Sequence, residues 1–187
     1  MSTLSVDTIQ GKTTAGTVAM PSGSILQVQT LTSDIIQIVN GVTFTDFMSL
    51  AITPKFSSSK ILCTCHITLS VQNNSGGSNQ AMRYSGVKLF RGSTQIALNS
   101  NLSGSRVGVW FAANSVGDVD YEAYGTHNSS GQFLDSPNTT SATTYKIQIG
   151  NSSQSVAYTI TNRSPINDDA SYTHMTTSQL TLMEIQQ

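Results

Sequence analysis

The sequence predicts an all-β protein, a two-sheet jelly-roll sandwich or a close relative, on three observations. No window longer than about ten residues keeps a 3.6-residue apolar period, so helix signals are almost absent. Lys60 to Val71, KILCTCHITLSV, alternates strictly, with Ile61, Cys63, Cys65, Ile67, Leu69 and Val71 on one face and Leu62, Thr64, His66, Thr68 and Ser70 on the other. That pattern describes a sheet with one face on a core and one toward water or a neighbouring subunit. Comparable runs recur between Gly, Ser, Asn and Pro clusters, about eight to ten strands in all.

Taken in order, residues 1–22 read as an arm. Leu4, Val6, Ile9, Val18 and Met20 are spaced through Thr, Gly, Ser and Asp without a nearby partner strand, and Met20-Pro21-Ser22-Gly23 punctuates the end. Such an arm cannot bury its apolar residues alone; it docks on another protein, wraps with other copies or stays a disordered tail. Residues 23–187 form the head. Its first strands are Ser24 to Thr30, Thr43 to Ile52 and Lys60 to Val71. Val87 to Leu98 reads as a hairpin turned at Arg91-Gly92-Ser93. Arg106 to Ala113 is expected to put Val107, Val109 and Phe111 inward and Trp110 outward. Thr143 to Ile149 turns Tyr145, Ile147 and Ile149 inward, and Ser155 to Thr161 does so with Val156, Tyr158 and Ile160. Gln179 to Ile185 closes the chain, with Leu180 and Leu182 on one face and Met183 and Ile185 on the other; a strand apolar on both faces needs two partners. Four long polar connections, 72–80, 99–105, 114–132 and 162–177, are where a binding surface is expected.

Charged residues are 10% of the chain against a usual level of about 25%, and Ser with Thr outnumbers them more than twofold. The surface is therefore hydroxyl- and amide-rich. A net charge of -1 and scattered basic residues give no field to steer a polyanion, so nucleic acid is not an expected partner. No stretch reaches the roughly 18 to 20 apolar residues that cross a bilayer, and no secretory signal opens the chain; synthesis in the cytosol of its producer without membrane insertion is expected. The N-x-S/T triplets at Asn73, Asn101, Asn128, Asn138, Asn151 and Asn162 then reflect composition.

Chemistry for catalysis is thin. Cys63 and Cys65 share one face of a strand, poorly placed for a disulfide, and no further ligands stand at zinc-site spacing; they read as packed thiols. Asp118, Asp120 and Glu122 align on one side of an extended chain, a spacing that a glycosidase pair or calcium could use and that a solvated loop explains equally well. His66, His127 and His174 lie apart without a nucleophile motif, and no phosphate-cradling loop enters a helix. No catalytic residue, cofactor or metal is expected. Recognition remains: Trp110, Tyr121, Tyr124, His127 and Asn128 combine aromatic faces with amides suited to sugar rings or protein contacts.

MSTLSVDTIQGKTTAG, FTDFMSLAITPKFSSSKIL, VKLFRGSTQI, LDSPNTTSATTYKIQI, TNRS and LTLMEI are spread unevenly along the chain from Met1 to Ile185. Together they resemble the arm, middle strands, hairpin and closing strands of short tail-fibre and virion-surface proteins of marine bacteriophages, of cyanophage or pelagiphage type. Heads of that group look similar to the tumour-necrosis-factor and complement C1q superfamily, jelly rolls that associate as trimers. The resemblance implies a homotrimer on the virion whose arm meets other tail proteins and whose head meets a host cell-surface glycan or protein. Leu4, Val6, Ile9, Val18, Met20, Tyr158, Met183 and Ile185 are its expected anchoring or inter-subunit residues. A decoration or adaptor protein without receptor binding is the alternative, and a depolymerase using Asp120 or Glu122 a third reading. Segments 117–132 and 164–177 depart from the common pattern, so no ligand is inherited there.

Overall fold

The computed structural model describes residue 12 and residues 20–73, 85–112, 125–152 and 157–187. Among the described residues there is no helix. The strands are β1 (Ile25–Ser33), β2 (Ile38–Asn40), β3 (Phe44–Ile52), β4 (Lys60–Asn73), β5 (Ser85–Arg91), β6 (Thr94–Ile96), β7 (Phe111–Ala112), β8 (His127–Asp135), β9 (Thr143–Asn151), β10 (Ala157–Thr161) and β11 (Ser178–Ile185). They make two antiparallel sheets: sheet A in the order β1-β11-β4-β10-β2 with β8 also on β4, and sheet B in the order β3-β9-β5-β6 with β7 also on β5.

Register reduces the described strands to four lines per sheet. β11 and β10 follow each other along the edge of β4 opposite β8, since Gln179 faces His66 and Thr161 faces Leu69. β1 and β2 continue one another on the far side of that line, as β6 and β7 do beside β5. Sheet A therefore runs β1/β2, β11/β10, β4, β8, and sheet B runs β3, β9, β5, β6/β7. The chain doubles back at the β5–β6 turn, and successive pairs of lines outward from that turn join alternately in sheets B and A. Gly92 makes the turn possible: its φ of 59° lies in the left-handed region that side chains disfavour.

The alternation of β4 is realised in full, with Ile61, Cys63, Cys65, Ile67, Leu69 and Val71 all buried. They meet Met48, Ile52, Val87, Leu89, Tyr145, Ile147, Ile149, Leu180 and Leu182 between the sheets. Two charges enter this interior. Glu184 follows the parity of Leu180 and Leu182 and is fully buried; its carboxylate accepts from Gln27 Nε2 at 2.6 Å, Lys55 N at 2.7 Å and Phe56 N at 3.4 Å, which offsets its lost hydration. Asp135 accepts twice from Arg91 Nη1, at 2.8 and 2.9 Å, and from Tyr145 Oη at 2.7 Å.

Three expectations need correction. The polar connection expected over 114–132 gives way at His127 to β8, which pairs along β4. Among the described residues of the run from Arg106 to Ala113, only Phe111–Ala112 is strand. Gly108 lies so close to Leu98 and Leu102 that a Cβ would meet them at 2.5 and 3.1 Å, so the segment packs on its own turn and leaves Val107 44% exposed. Trp110 is half-buried against the core, where it and Phe111 crowd the space above Gly131 that any other residue would fill. The inward face of β10 is the reverse of that expected. Thr159 and Thr161 register with Val71 and Leu69 and point between the sheets, Thr159 Oγ1 lying 3.0 Å from Ser85 Oγ; Tyr158 and Ile160 point outward. A hydroxyl pair across the interior outweighed side-chain hydrophobicity there. Val156 lies outside the described residues.

Candidate functional site

The outer face of sheet A changes character along its length. At the end where the chain enters from residue 20, backbone bonds from Gly23 N to Gln186 O (2.8 Å) and Gln186 N to Ser24 O (2.9 Å) join the chain's entry to its exit. Just inside, the registers align Val28, Met183, Leu62 and Leu134 in one row across all four lines. Val28 is 50% and Leu134 46% exposed, Leu62 and Met183 are half-buried, and exposed Ile25 and half-buried Ile185 stand beside them. With strands about 4.8 Å apart this row is roughly 15 Å wide. The next rows are polar: Thr30, Thr181, Thr64 and Gln132, then Thr32, Gln179, His66 and Ser130. A shallow cavity of about 470 Å³ opens between Thr64, His66, Ser130, Gln132 and Gln179.

Beyond these rows the β10/β11 line is broken by an excursion over 162–177. Asn162, at φ 59°, leaves the line while its N donates to Thr68 O at 3.2 Å and its Nδ2 donates to Ser33 O and Ile35 O at 2.9 and 3.0 Å. Ser178 receives the returning chain, its Oγ donating to Asn162 Oδ1 at 2.6 Å and accepting from Thr68 N at 3.1 Å. The excursion rises as a narrow hairpin, with Ser164 N bonded to His174 O and Thr176 N to Asn162 O. Its base lies across the sheet, Ser70 Oγ donating to Arg163 O at 2.7 Å, so Thr68, Ser70 and Ile160 are buried although they belong to the outer face. Inside the hairpin is a second cavity of about 390 Å³.

These placements sort the expected residues. Met183, Ile185 and Tyr158 share the outer face of sheet A, yet Tyr158 faces Gln72 while Met183 faces Leu62, roughly 33 Å apart for ten residues at about 3.3 Å each. Met20 is exposed; Leu4, Val6, Ile9 and Val18 lie outside the described residues. Of the aromatic group, Trp110 is tilted 57° against Phe111 at 5.1 Å, packed inward and not presented to solvent as expected. His127 is half-buried at the end of β8, and exposed Asn128 accepts from Thr68 Oγ1 at 2.7 Å. Tyr121 and Tyr124, like Asp118, Asp120 and Glu122, lie outside the described residues.

Burial pushes both thiols up, Cys65 to about 12, so they remain protonated; Asp135 and Cys65 add to the effect of burial at Cys63. Burial, then its bond to Asp135, raises the Tyr145 phenol. Both effects stabilise neutral, structural groups. Among the described residues no three His, Cys, Asp or Glu side chains gather as metal ligands. The excursion and the buried Glu184 escaped sequence reasoning, although the parity of LTLMEI already put Glu184 beside two leucines.

The fold class is thus an antiparallel β-sandwich whose outer sheet A face carries an apolar row where residue 20 enters, polar rows behind it, and the excursion toward the other end beside exposed Ile35, Ile36 and Ile38. Compared with protein-family models and with curated proteins, the sequence finds no significant match.

Proposed function

We propose that this chain is a virion-surface protein of a bacteriophage, a short tail fibre whose jelly-roll heads of C1q/TNF type associate as a homotrimer and hold a host surface by multivalent, non-covalent contacts. The observation that carries the proposal is the order of features along sheet A. The chain from residue 20 enters beside the apolar row of Val28, Leu62, Leu134 and Met183, while the excursion rises toward the opposite end. A particle-anchored trimer needs that order, with self-association near the stem and recognition away from it. Joining of lines outward from the β5–β6 turn supports the jelly roll, whose two Greek keys pair in this way. Three linked shallow sites raise avidity by orders of magnitude without new contacts.

A decoration or adaptor role is favoured by a different feature. Ile35, Ile36, Ile38 and Val42 are all exposed around β2 on the outermost line of sheet A, a cluster suited to a protein partner. Light scattering coupled to size exclusion tests the assembly; three times the 19.9 kDa chain mass is expected, and a monomer overturns the trimer. Labelled trimer incubated with cultures of marine cyanobacteria and pelagic heterotrophs is expected to decorate cells of its host. A trimer that assembles onto particles and decorates none of these cells favours the adaptor.

A further inference from the structure

We infer that the excursion over 162–177 is a binding site for a neutral, hydroxyl-rich saccharide. The inference deepens the adhesion reading, on which its biological setting rests, and names a ligand class and residues for it.

A loop of sixteen residues that only connected β10 to β11 would be unnecessary, because the two strands already lie end to end along β4. This loop is held at its base by the Asn162 and Ser178 bonds and is braced within: His174 N donates to Ser164 Oγ at 2.8 Å, and Thr173 Oγ1 donates to Asp168 O and Ala170 O at 2.7 and 2.8 Å. Its 390 Å³ cavity falls in the roughly 300–1,000 Å³ range of small-molecule sites.

The lining selects the ligand. Arg163 is 8% exposed and donates through Nη1 to Ser164 O and Pro165 O at 2.7 Å each; among the described residues no carboxylate lies within ion-pair distance of it. Asp168 and Asp169 line the same cavity and reach solvent, with Asn167 beside them. The two carboxylates outnumber the guanidinium and repel a simple anion, while a bare cation offers no acceptor to Arg163. Neutral hydroxyls act as donors and acceptors at once and satisfy both. Met175, 67% exposed and lining the cavity, supplies apolar surface of the kind that packs on the C–H face of a sugar ring.

Saturation-transfer NMR on the full chain, with glucose, galactose, mannose and N-acetylglucosamine as neutral probes and glucuronate and glucosamine as charged ones, tests the site. Transfer to at least one neutral sugar is expected, with weaker transfer to glucuronate and at least a tenfold loss of affinity in the Asp168→Ala/Asp169→Ala double variant. Asp46→Ala, on the other sheet, is expected to bind as the parent does. Absence of transfer to every neutral probe overturns the site, as does undiminished transfer in the double variant; equal transfer to glucuronate overturns the neutral class. None of these measurements uses cells or particles, so a failure of adhesion leaves them standing and their failure leaves adhesion standing.

Discussion

The two sheets share one core and turn opposite kinds of surface outward. Sheet B presents Asp46, Lys88, Phe90, Phe44, Lys146 and Gln148, and these satisfy each other: Lys146 Nζ bonds Asp46 Oδ2 at 2.9 Å, Gln148 Nε2 bonds Asp46 Oδ1 at 2.8 Å, and Lys88 Nζ sits 3.9 Å above the Phe44 ring. Sheet A carries Lys60 as the one full charge on its four arm-side rows, with hydroxyls, amides and an apolar row making up the rest. A face whose charges are paired and hydrated is finished in water. A charge-poor face with aligned, half-exposed aliphatic residues gains by being covered, and it is there that the assembly reading places the neighbouring subunit. In a chain with so few charges, where they stand separates the two faces more sharply than hydrophobicity does.

The comparison breaks first at what both faces depend on. Asp135→Ala strips the partner from half-buried Arg91 and from the Tyr145 hydroxyl, and is expected to cost about 3 kcal/mol, read as a lower urea midpoint with unchanged slope. Both sheets then fail together. A midpoint shift below about 1 kcal/mol would mean the trio is dispensable.

Next come matched substitutions on the two faces. Met183→Asp puts an unpaired charge in the apolar row and is expected to weaken self-association at least a hundredfold while circular dichroism stays that of a folded β protein. Ser49→Asp, exposed on sheet B, is expected to leave the solution mass as it was. Equal behaviour of the two variants would erase the distinction between the faces.

The smallest effects belong to the surface network of sheet B. Lys146→Ala is expected to change stability by less than about 1 kcal/mol, because both partners of the ion pair reach solvent. Its bonds from Gln148 and then Lys146 hold the Asp46 carboxyl below its usual value. A depressed carboxylate contributes stability that is present above its unfolded value near 4 and is lost as pH falls through the folded one. The stability gap between the parent and Asp46→Asn is therefore expected to be small at pH 7 and to close as pH falls from the unfolded value through the lowered folded one, by urea titration at each pH. A gap that widened in acid would reverse the sign and remove Asp46 from the network.

Much of the sandwich was legible before any coordinates. Strict alternation in β4, β9 and β11 announced buried faces because a period of two leaves each side chain a single side to choose. Alternation misled where both parities could be buried. In β10 the threonines took the interior and Tyr158 the outside, a choice made by Ser85 and Val71 across the sheets. Near Trp110 the local pattern read as a strand, but two glycines, Gly108 and Gly131, let rings and leucines close in from elsewhere in the chain. The host-contact group around Trp110 was legible only as composition; its tryptophan turns inward, and the better-formed cavity lies in a loop whose polar sequence carried no motif.

The sequence by itself determined the all-β class, the buried faces of its longest strands, the hydroxyl-rich, charge-poor surface and the hairpin at Gly92, since each follows from local spacing or from the conformational range of one residue. Tertiary structure alone decided that β10 and β11 are one line, that Val28, Leu62, Leu134 and Met183 meet in a row, and that buried Glu184 meets Gln27 and Lys55. Those neighbours are far apart in the chain, and register between distant strands is set by the packing of the whole core.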